Sequence, residues 1–277
     1  MALDSVKEKE LQAIAKQMRI DIVKALHNVQ TGHPGGSLSA VEILTVLYFN
    51  QMKNDCAEPG CPDRDRFVAS KGHCAPVVYT TLCAKGYFDK AELTNLRQLG
   101  CMLQGHPDMK KTPGVDMSTG SLGLGLSVGI GMAMAAKMDG KDYTTYVLLG
   151  DGELQEGQIW EAAMSAPRFG LNNLVAIVDN NGVQLDGRTD DIMPLGNLTA
   201  KFQAFGWHVI EADGHDIRKI DAAFDAAKKH TAGPVVILAD TVKGKGVSFM
   251  EGNNEWHGKA ISDELYRQAM SDLGGIN

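Results

Sequence analysis

Apolar residues recur at helical spacing near the start of the chain. From Ser5 to Asn28, Leu11, Ile14, Ala15, Met18, Ile22, Ala25 and Leu26 would share one stripe. "TGHPGG" ends that stripe, and a second helix is expected from about Leu38 to Asn50. A loop rich in Pro, Gly and Cys follows, then a short strand, "RFVAS", that runs into "KGH". Helices are expected over Ala75 to Lys85 and over Lys90 to Leu99. "TGSLGLGLSVGIGMAMAAKM" reads as a helix opened by glycine, with a small-residue face.

From there the period alternates. "TTYVLL" predicts a strand, Glu156 to Phe169 a helix and "NLVAIVD" a strand. Leu198 to Phe205 predicts a helix, "WHVIEA" a strand, Ile217 to Lys229 a helix and "PVVILAD" a strand. Strands that alternate with helices of about ten or more residues imply an α/β fold, a parallel sheet with helices on both faces. No repeat, linker or low-complexity block divides the chain. Residues 1–277 are therefore expected to form one domain with an N-terminal helical extension.

Composition narrows the function. The chain has 277 residues, 44% hydrophobic and 22% charged, with a net charge of -7. An acidic balance argues against a general nucleic-acid or anionic-membrane binder, which needs a basic surface. The longest apolar stretch, Leu122 to Ala136, is too short and too rich in glycine to span a bilayer. The charged, helical start "MALDSVKEKELQAIAK" is no secretory leader, so the cytoplasm is the expected location. The 5 cysteines follow no regular framework. Cys56 and Cys61 flank "AEPG", but no second close Cys or His pair completes a zinc site, and free thiols are expected.

The chemistry concentrates after "TTYVLL". In a parallel sheet the loops that follow the strands share one edge, and ligands bind there. Asp151, in "GDG", follows one strand, and Asn180 and Asn181 follow the next. One crossover helix separates the two strands, which makes them neighbours roughly 5 Å apart. Asp151 and Asn181 then offer a charged and a neutral oxygen to one spot, ligands for a hard cation such as Mg2+ or Ca2+. A carboxylate about 4 Å from a phosphate charge would repel it by roughly 4 kcal/mol at an effective dielectric of about 20. A divalent ion between them reverses the sign. The loop is thus read as a metal-diphosphate site, with Gly150 and Gly152 allowing close backbone approach. A dinucleotide fingerprint fits poorly, since Gln155 and Val128 stand where its third glycine belongs.

"GDGELQEGQIWEAAMSAPRFGLNNLVAIVDNNGVQLDG" resembles the thiamine diphosphate motif. "TGHPGGSLSAVEIL", "DRDRFVASKGH", "GHPD", "STGSLGLGLSVGIGMAMA" and "EWHGKA" occur in the same order as in the N-terminal half of the transketolase family. The resemblance implies roles residue by residue. Asp151 and Asn181 would bind the metal by side chain and Val183 by its carbonyl. Gly152 and Asn181 would contact the diphosphate, and His73 would approach it. Gly120, Ser121 and Leu122 would meet the aminopyrimidine. His33, His106 and His257 would line the substrate channel, where imidazoles suit proton movement on sugar hydroxyls near neutral pH. Glu156 would lie at a subunit interface that communicates with the cofactor's activating acid. Ser121 replaces a more usual Pro, and Leu124 a frequent Gln. His27, His208, His215 and His230 match no such motif and are read as surface or structural residues.

The family's activating Glu lies on a pyrimidine-binding domain that no part of this sequence resembles. The resemblance therefore implies a split transketolase. A partner chain would carry the pyrimidine half, two copies of each chain would assemble, and the substrate would be a sugar phosphate or related ketose. Two rival readings are the α component of a 2-oxo acid dehydrogenase and a non-catalytic transketolase-like interaction subunit. "TGHPGG" and "EWHGKA" weigh against the first, and the intact Asp151, Asn181, His33 and His257 against the second.

Overall fold

The apolar runs become five parallel strands in the order β1-β2-β3-β5-β4. They are β1 (Arg66–Ala69), β2 (Thr145–Gly150), β3 (Leu174–Asn180), β4 (His208–Asp213) and β5 (Val235–Asp240). The computed structural model describes residues 3–55 and 57–275. Successive residues of the central strands enter opposite cores. Tyr146, Leu148, Val175 and Ile177 join one, and Val147, Leu149, Ala176 and Val178 the other. Both faces are apolar, which is why these strands read as unbroken hydrophobic runs.

In chain order the helices are α1 (Ser5–Val29), α2 (Pro34–Leu38), α3 (Val41–Val46), α4 (Ala75–Lys85), α5 (Leu124–Met138), α6 (Gly157–Arg168), α7 (Thr189–Ile192), α8 (Leu198–Ala204), α9 (Ile217–Lys229) and α10 (Asp263–Asp272). Helices α1, α3, α4 and α9 cover one face, with Leu11, Met18, Ile43, Tyr79 and Phe224 fully or almost fully buried. Helices α5, α6 and α8 cover the other through Leu126, Ile159 and Phe202. All strand C-termini point the same way, and β2 pairs with β3 up to Gly150 opposite Asp179. Asp151 and Asn181 therefore leave the sheet from adjacent strands.

The structure corrects two expectations. The helix expected from Leu38 to Asn50 begins earlier, at Pro34, whose fixed φ suits a first helical position. It breaks at Ser39 and Ala40, resumes as α3 and closes in a wide π turn, Leu47–Gln51. The helix expected from Lys90 to Leu99 is only a 3-10 turn, Lys90–Asn95. Leu93 and Leu96 are buried beside it, and a spacing of three is the 3-10 period. The small residues of α5 serve the chain's own sheet. A Cβ on Gly125 would lie 2.4 Å from the Ser70 Cβ, and one on Gly129 would lie 2.3 Å from a Val147 methyl. Outward, α5 exposes Leu124 and Met138. Cys61, Cys74, Cys83 and Cys101 are free thiols, whereas Cys56 lies outside the described residues.

Candidate active site

Asp151 is buried, and both of its carboxylate oxygens are held by backbone. Oδ1 accepts from the Gly152 N–H at 2.7 Å, and Oδ2 accepts from the Gly182 N–H at 2.5 Å. The second bond ties the β2 loop to the β3 loop. Asn181 Oδ1 accepts from the Val183 N–H at 3.1 Å, which folds the following turn and orients the Val183 carbonyl. Burial, reinforced by the Asp179 charge, pushes the Asp151 carboxyl up to about 6. A Cβ on Gly152 would come within 2.7 Å of the Gln184 Cβ, so glycine is required there. Gly150 is not constrained in the same way, since its Cβ would make ordinary contact with Lys71. These loops wall a cavity of about 160 Å³ lined by Gly150, Asp151, Gly152, Asn181 and Val183 together with His73, Leu122 and His257.

Lys71, Lys243 and Glu153, which sequence reasoning did not assign, also line the cavity, and Asp179 and three hydroxyls bond to them or to one another behind it. Lys71 is buried, donates to the Gly36 carbonyl at 3.0 Å and forms an ion pair with Asp179. Ser39 and Thr241 also donate to Asp179. Burial alone would raise the Asp179 carboxyl, but Lys71 and these donors hold it below the usual carboxylate range. Lys243 donates to the Val183 carbonyl at 2.9 Å and lies 3.0 Å from His257 Nδ1. Burial and the Lys71 charge lower its ammonium to about 8. Glu153 accepts from Ser70 Oγ at 2.5 Å, from Gly123 N–H at 2.9 Å and from Gly150 N–H at 3.1 Å, which locks three loops together. The available signal was positional: each of these residues lies in or beside a loop at the C-terminal edge of the sheet.

The histidines meet. His73 and His257 stack with ring centroids 4.8 Å apart. His33 stands 5.4 Å from His73, 5.5 Å from His257 and 6.4 Å from His106. Burial first, then neighbouring positive groups, lowers all four. His33 falls to about 4, His257 to about 3, His73 lies well below the ordinary imidazole value, and His106 is also lowered. All four are neutral at pH 7. The buried His33 Nδ1 has no hydrogen-bond partner among the described residues.

Gly120 has φ +150° and packs on the His106 ring, where a Cβ would sit 3.2 Å from the ring carbons. Ser121 is exposed beside it, and Leu122 reaches the cavity wall. Glu156 is exposed and lies outside the cavity lining. A Cβ on Gly123 would meet the Glu156 side chain, so Glu156 stands at the mouth of α5.

Known proteins share this fold. Residues 10–276 match the family model described as "Transketolase, thiamine diphosphate binding domain". The chain belongs to the transketolase family. It is 45% identical over 269 residues to the 6-deoxy-6-sulfo-D-fructose transketolase subunit SqwG of Clostridium sp. (strain MSTE9), covering 97% of this chain and 98% of that one. It is 43% identical over 268 residues to one of the subunits of the apulose-4-phosphate transketolase of Phocaeicola vulgatus, covering 97% and 94%. The transketolase crystal structure from Campylobacter jejuni superimposes with a TM-score of 0.88 at 34% identity, covering 96% of this chain but 43% of that one. The chain is thus a transketolase-type enzyme subunit, matched over 97% of its length by proteins named as transketolase subunits. These relatives are not 2-oxo acid dehydrogenase components.

The site fits a transketolase cofactor. Its donors, a carboxylate, an amide oxygen and a carbonyl, are hard oxygens suited to Mg2+ or Ca2+. Asp151 carries buried charge with no ion pair among the described residues. No group of three His, Cys, Asp or Glu side chains able to hold a metal exists among the described residues. A cation here needs further ligands from phosphate and water, as Mg2+ does when it binds with one or two carboxylates.

Proposed function

We propose that this chain supplies the metal-diphosphate end and the channel histidines of a two-chain transketolase that moves a two-carbon ketol unit from a ketose to an aldose. One observation carries the proposal: Asp151, Asn181 and Val183 line one cavity with His73 and His257, and both of those imidazoles meet His33, which in turn meets His106. The relatives named for 6-deoxy-6-sulfo-D-fructose and apulose-4-phosphate support a donor that ends in phosphate or a similar acid group.

In this reading Asp151 and Asn181 hold Mg2+ by side chain, and Val183 holds it by carbonyl once Lys243 gives that oxygen up. Gly152 and Asn181 meet the diphosphate, with His73 beside it. Bound thiamine diphosphate supplies the electron sink for carbon–carbon cleavage. His33, His106 and His257 orient sugar hydroxyls and accept or return their protons. As neutral imidazoles they both donate and accept hydrogen bonds, and their protonated forms become favoured when negative charge develops beside them. Gly120, Ser121 and Leu122 face the aminopyrimidine, and Glu156 faces the partner.

We read residues 1–277 as one diphosphate-binding domain with an N-terminal helical extension. A partner chain brings the pyrimidine half, two copies of each chain assemble, and the enzyme works in the cytoplasm. No helix among the described residues is long and apolar enough to cross a membrane. The test is calorimetry on the assembled enzyme. Asp151→Ala should weaken both Mg2+ and thiamine diphosphate binding with the fold intact, and unchanged cofactor affinity would remove the site assignment. This chain without its partner should transfer no two-carbon unit at saturating cofactor, and turnover without the partner would refute the two-chain reading.

A further inference from the structure

Glu153 sits in the 3-10 turn Gly152–Gln155 that follows Asp151, and it is 2% exposed on the wall of the Asp151 cavity. Its hydrogen-bond donors come from separate segments. Ser70 directly follows β1 and stands shortly before His73. Gly150 ends β2 and precedes Asp151. Gly123 caps α5 and directly follows Gly120, Ser121 and Leu122. Each donor thus belongs to a segment to which the reading above gives one part of the cofactor.

The two oxygens are divided between the ends. Oε1 accepts from Ser70 Oγ and from the Gly123 N–H, on the side of the pyrimidine-contacting segment. Oε2 accepts from the Gly150 N–H, on the metal loop. Both oxygens must accept here, and a carboxylate offers two acceptor oxygens and no donor. Glu153 forms no ion pair among the described residues, so these donors are what meets its charge directly. The β1 loop and the pyrimidine-contacting segment also touch without it. A Cβ on Gly72 would lie 2.8 Å from the Gly120 nitrogen, and one on Gly125 would lie 2.4 Å from the Ser70 Cβ. The hydrogen-bonded tie from that pair to Gly150 runs through Glu153.

Resting on the ketol-transfer reading above, we propose that Glu153 is a positioning residue that sets the spacing between the pyrimidine-contacting segment and the metal-diphosphate loop. It acts through the Gly123 and Gly150 backbone and touches no reacting atom. A ligand with two linked ends gains from the second contact only where the geometry lets both engage together. A fixed carboxylate between the two loops supplies that geometry before the cofactor arrives, and less ordering is left to the moment of binding.

The test compares a whole cofactor with a fragment on the assembled two-chain enzyme. Calorimetry measures thiamine diphosphate, which spans both ends, and inorganic pyrophosphate, which fills one, each with Mg2+. The single amide oxygen of Glu153→Gln can serve Gly123 or Gly150 but not both, so the bridge opens in either orientation. Thiamine diphosphate affinity should then fall about tenfold more than pyrophosphate affinity. Ser70→Ala leaves the Gly123–Glu153–Gly150 bridge in place and should open no such gap, even where it lowers the melting temperature. Equal falls in Glu153→Gln, or none, overturn the assignment, and so does a gap of the same size in Ser70→Ala. If Glu153→Gln does not fold, the wild type decides. With isotope-labelled glycine, Mg2+ and pyrophosphate should shift the Gly123 amide resonance as well as that of Gly150, and a silent Gly123 overturns the proposal. Wild type that binds no thiamine diphosphate overturns the functional reading and this assignment with it. Wild type that binds it, with no gap in Glu153→Gln, overturns the assignment alone.

Discussion

Two buried polar clusters contain a Gly-His pair, and they are built on opposite principles. At His215 every group is satisfied. Its Nε2 accepts from the Val242 N–H at 2.8 Å, so Nδ1 carries the proton and donates to Glu42 Oε2 at 2.9 Å. Arg19 Nη2 donates to the same carboxylate at 2.6 Å, and Arg19 Nε donates to the Lys245 carbonyl. Burial would raise Glu42, but bonds from His215 and Arg19 hold it down to about 2. At His33 the balance is left open. Nδ1 has no partner, Asp151 is pushed up, and Lys243 and four histidines are pushed down. A closed network holds the fold together. An open one stores electrostatic cost that a bound cation, diphosphate and sugar would relieve.

The largest expected difference is catalytic. In the assembled enzyme His33→Ala and His257→Ala should lower turnover by about a hundred- to ten-thousandfold, the range of lost acid–base catalysis, with melting temperature nearly unchanged. A large loss of melting temperature with normal activity would collapse the distinction between the clusters. Glu42→Ala should do the reverse. It strands the buried Arg19 and should cost about 3–5 kcal/mol of stability by urea titration, with the folded fraction still binding cofactor.

The pH response sharpens the contrast. Glu42 is depressed on folding, so its stabilisation is present above its ordinary value near 4.5 and is lost as pH falls toward about 2. That acid loss should be absent in Glu42→Gln. Asp151 is raised on folding, so its contribution is full below about 3.8 and lost as pH rises through about 6. The smallest effect follows. In metal-free enzyme that loss, roughly 1–3 kcal/mol between about pH 4 and pH 7, should be absent in Asp151→Asn, measured by thermal melts in chelator. Persistence of the loss in Asp151→Asn would show that another group titrates.

Much of this was legible because it is local. "TTYVLL", "NLVAIVD" and "PVVILAD" are apolar on both faces, and only a covered parallel sheet accepts that. The placement of Asp151 and Asn181 followed from one rule, that loops after parallel strands share an edge. The less local features escaped. Glu156 stood out by resemblance, whereas the structure buries Glu153 as the brace between three loops. Lys71 and Lys243 are buried without a sequence signal, since nothing in "SKGH" or "TVKGKG" announces it.

By itself the sequence determined the alternation of strands and helices, the edge on which chemistry sits and the hard-oxygen character of the donors, because periodicity and side-chain chemistry are carried residue by residue. Only the tertiary structure decided that β5 inserts between β3 and β4, that Lys243 stands on the Val183 carbonyl, and that the left-handed Arg97 lies against the glycines before His33 and His106. Each of those depends on segments far apart in the chain being brought together by packing, and no local pattern encodes which distant partner a side chain will meet.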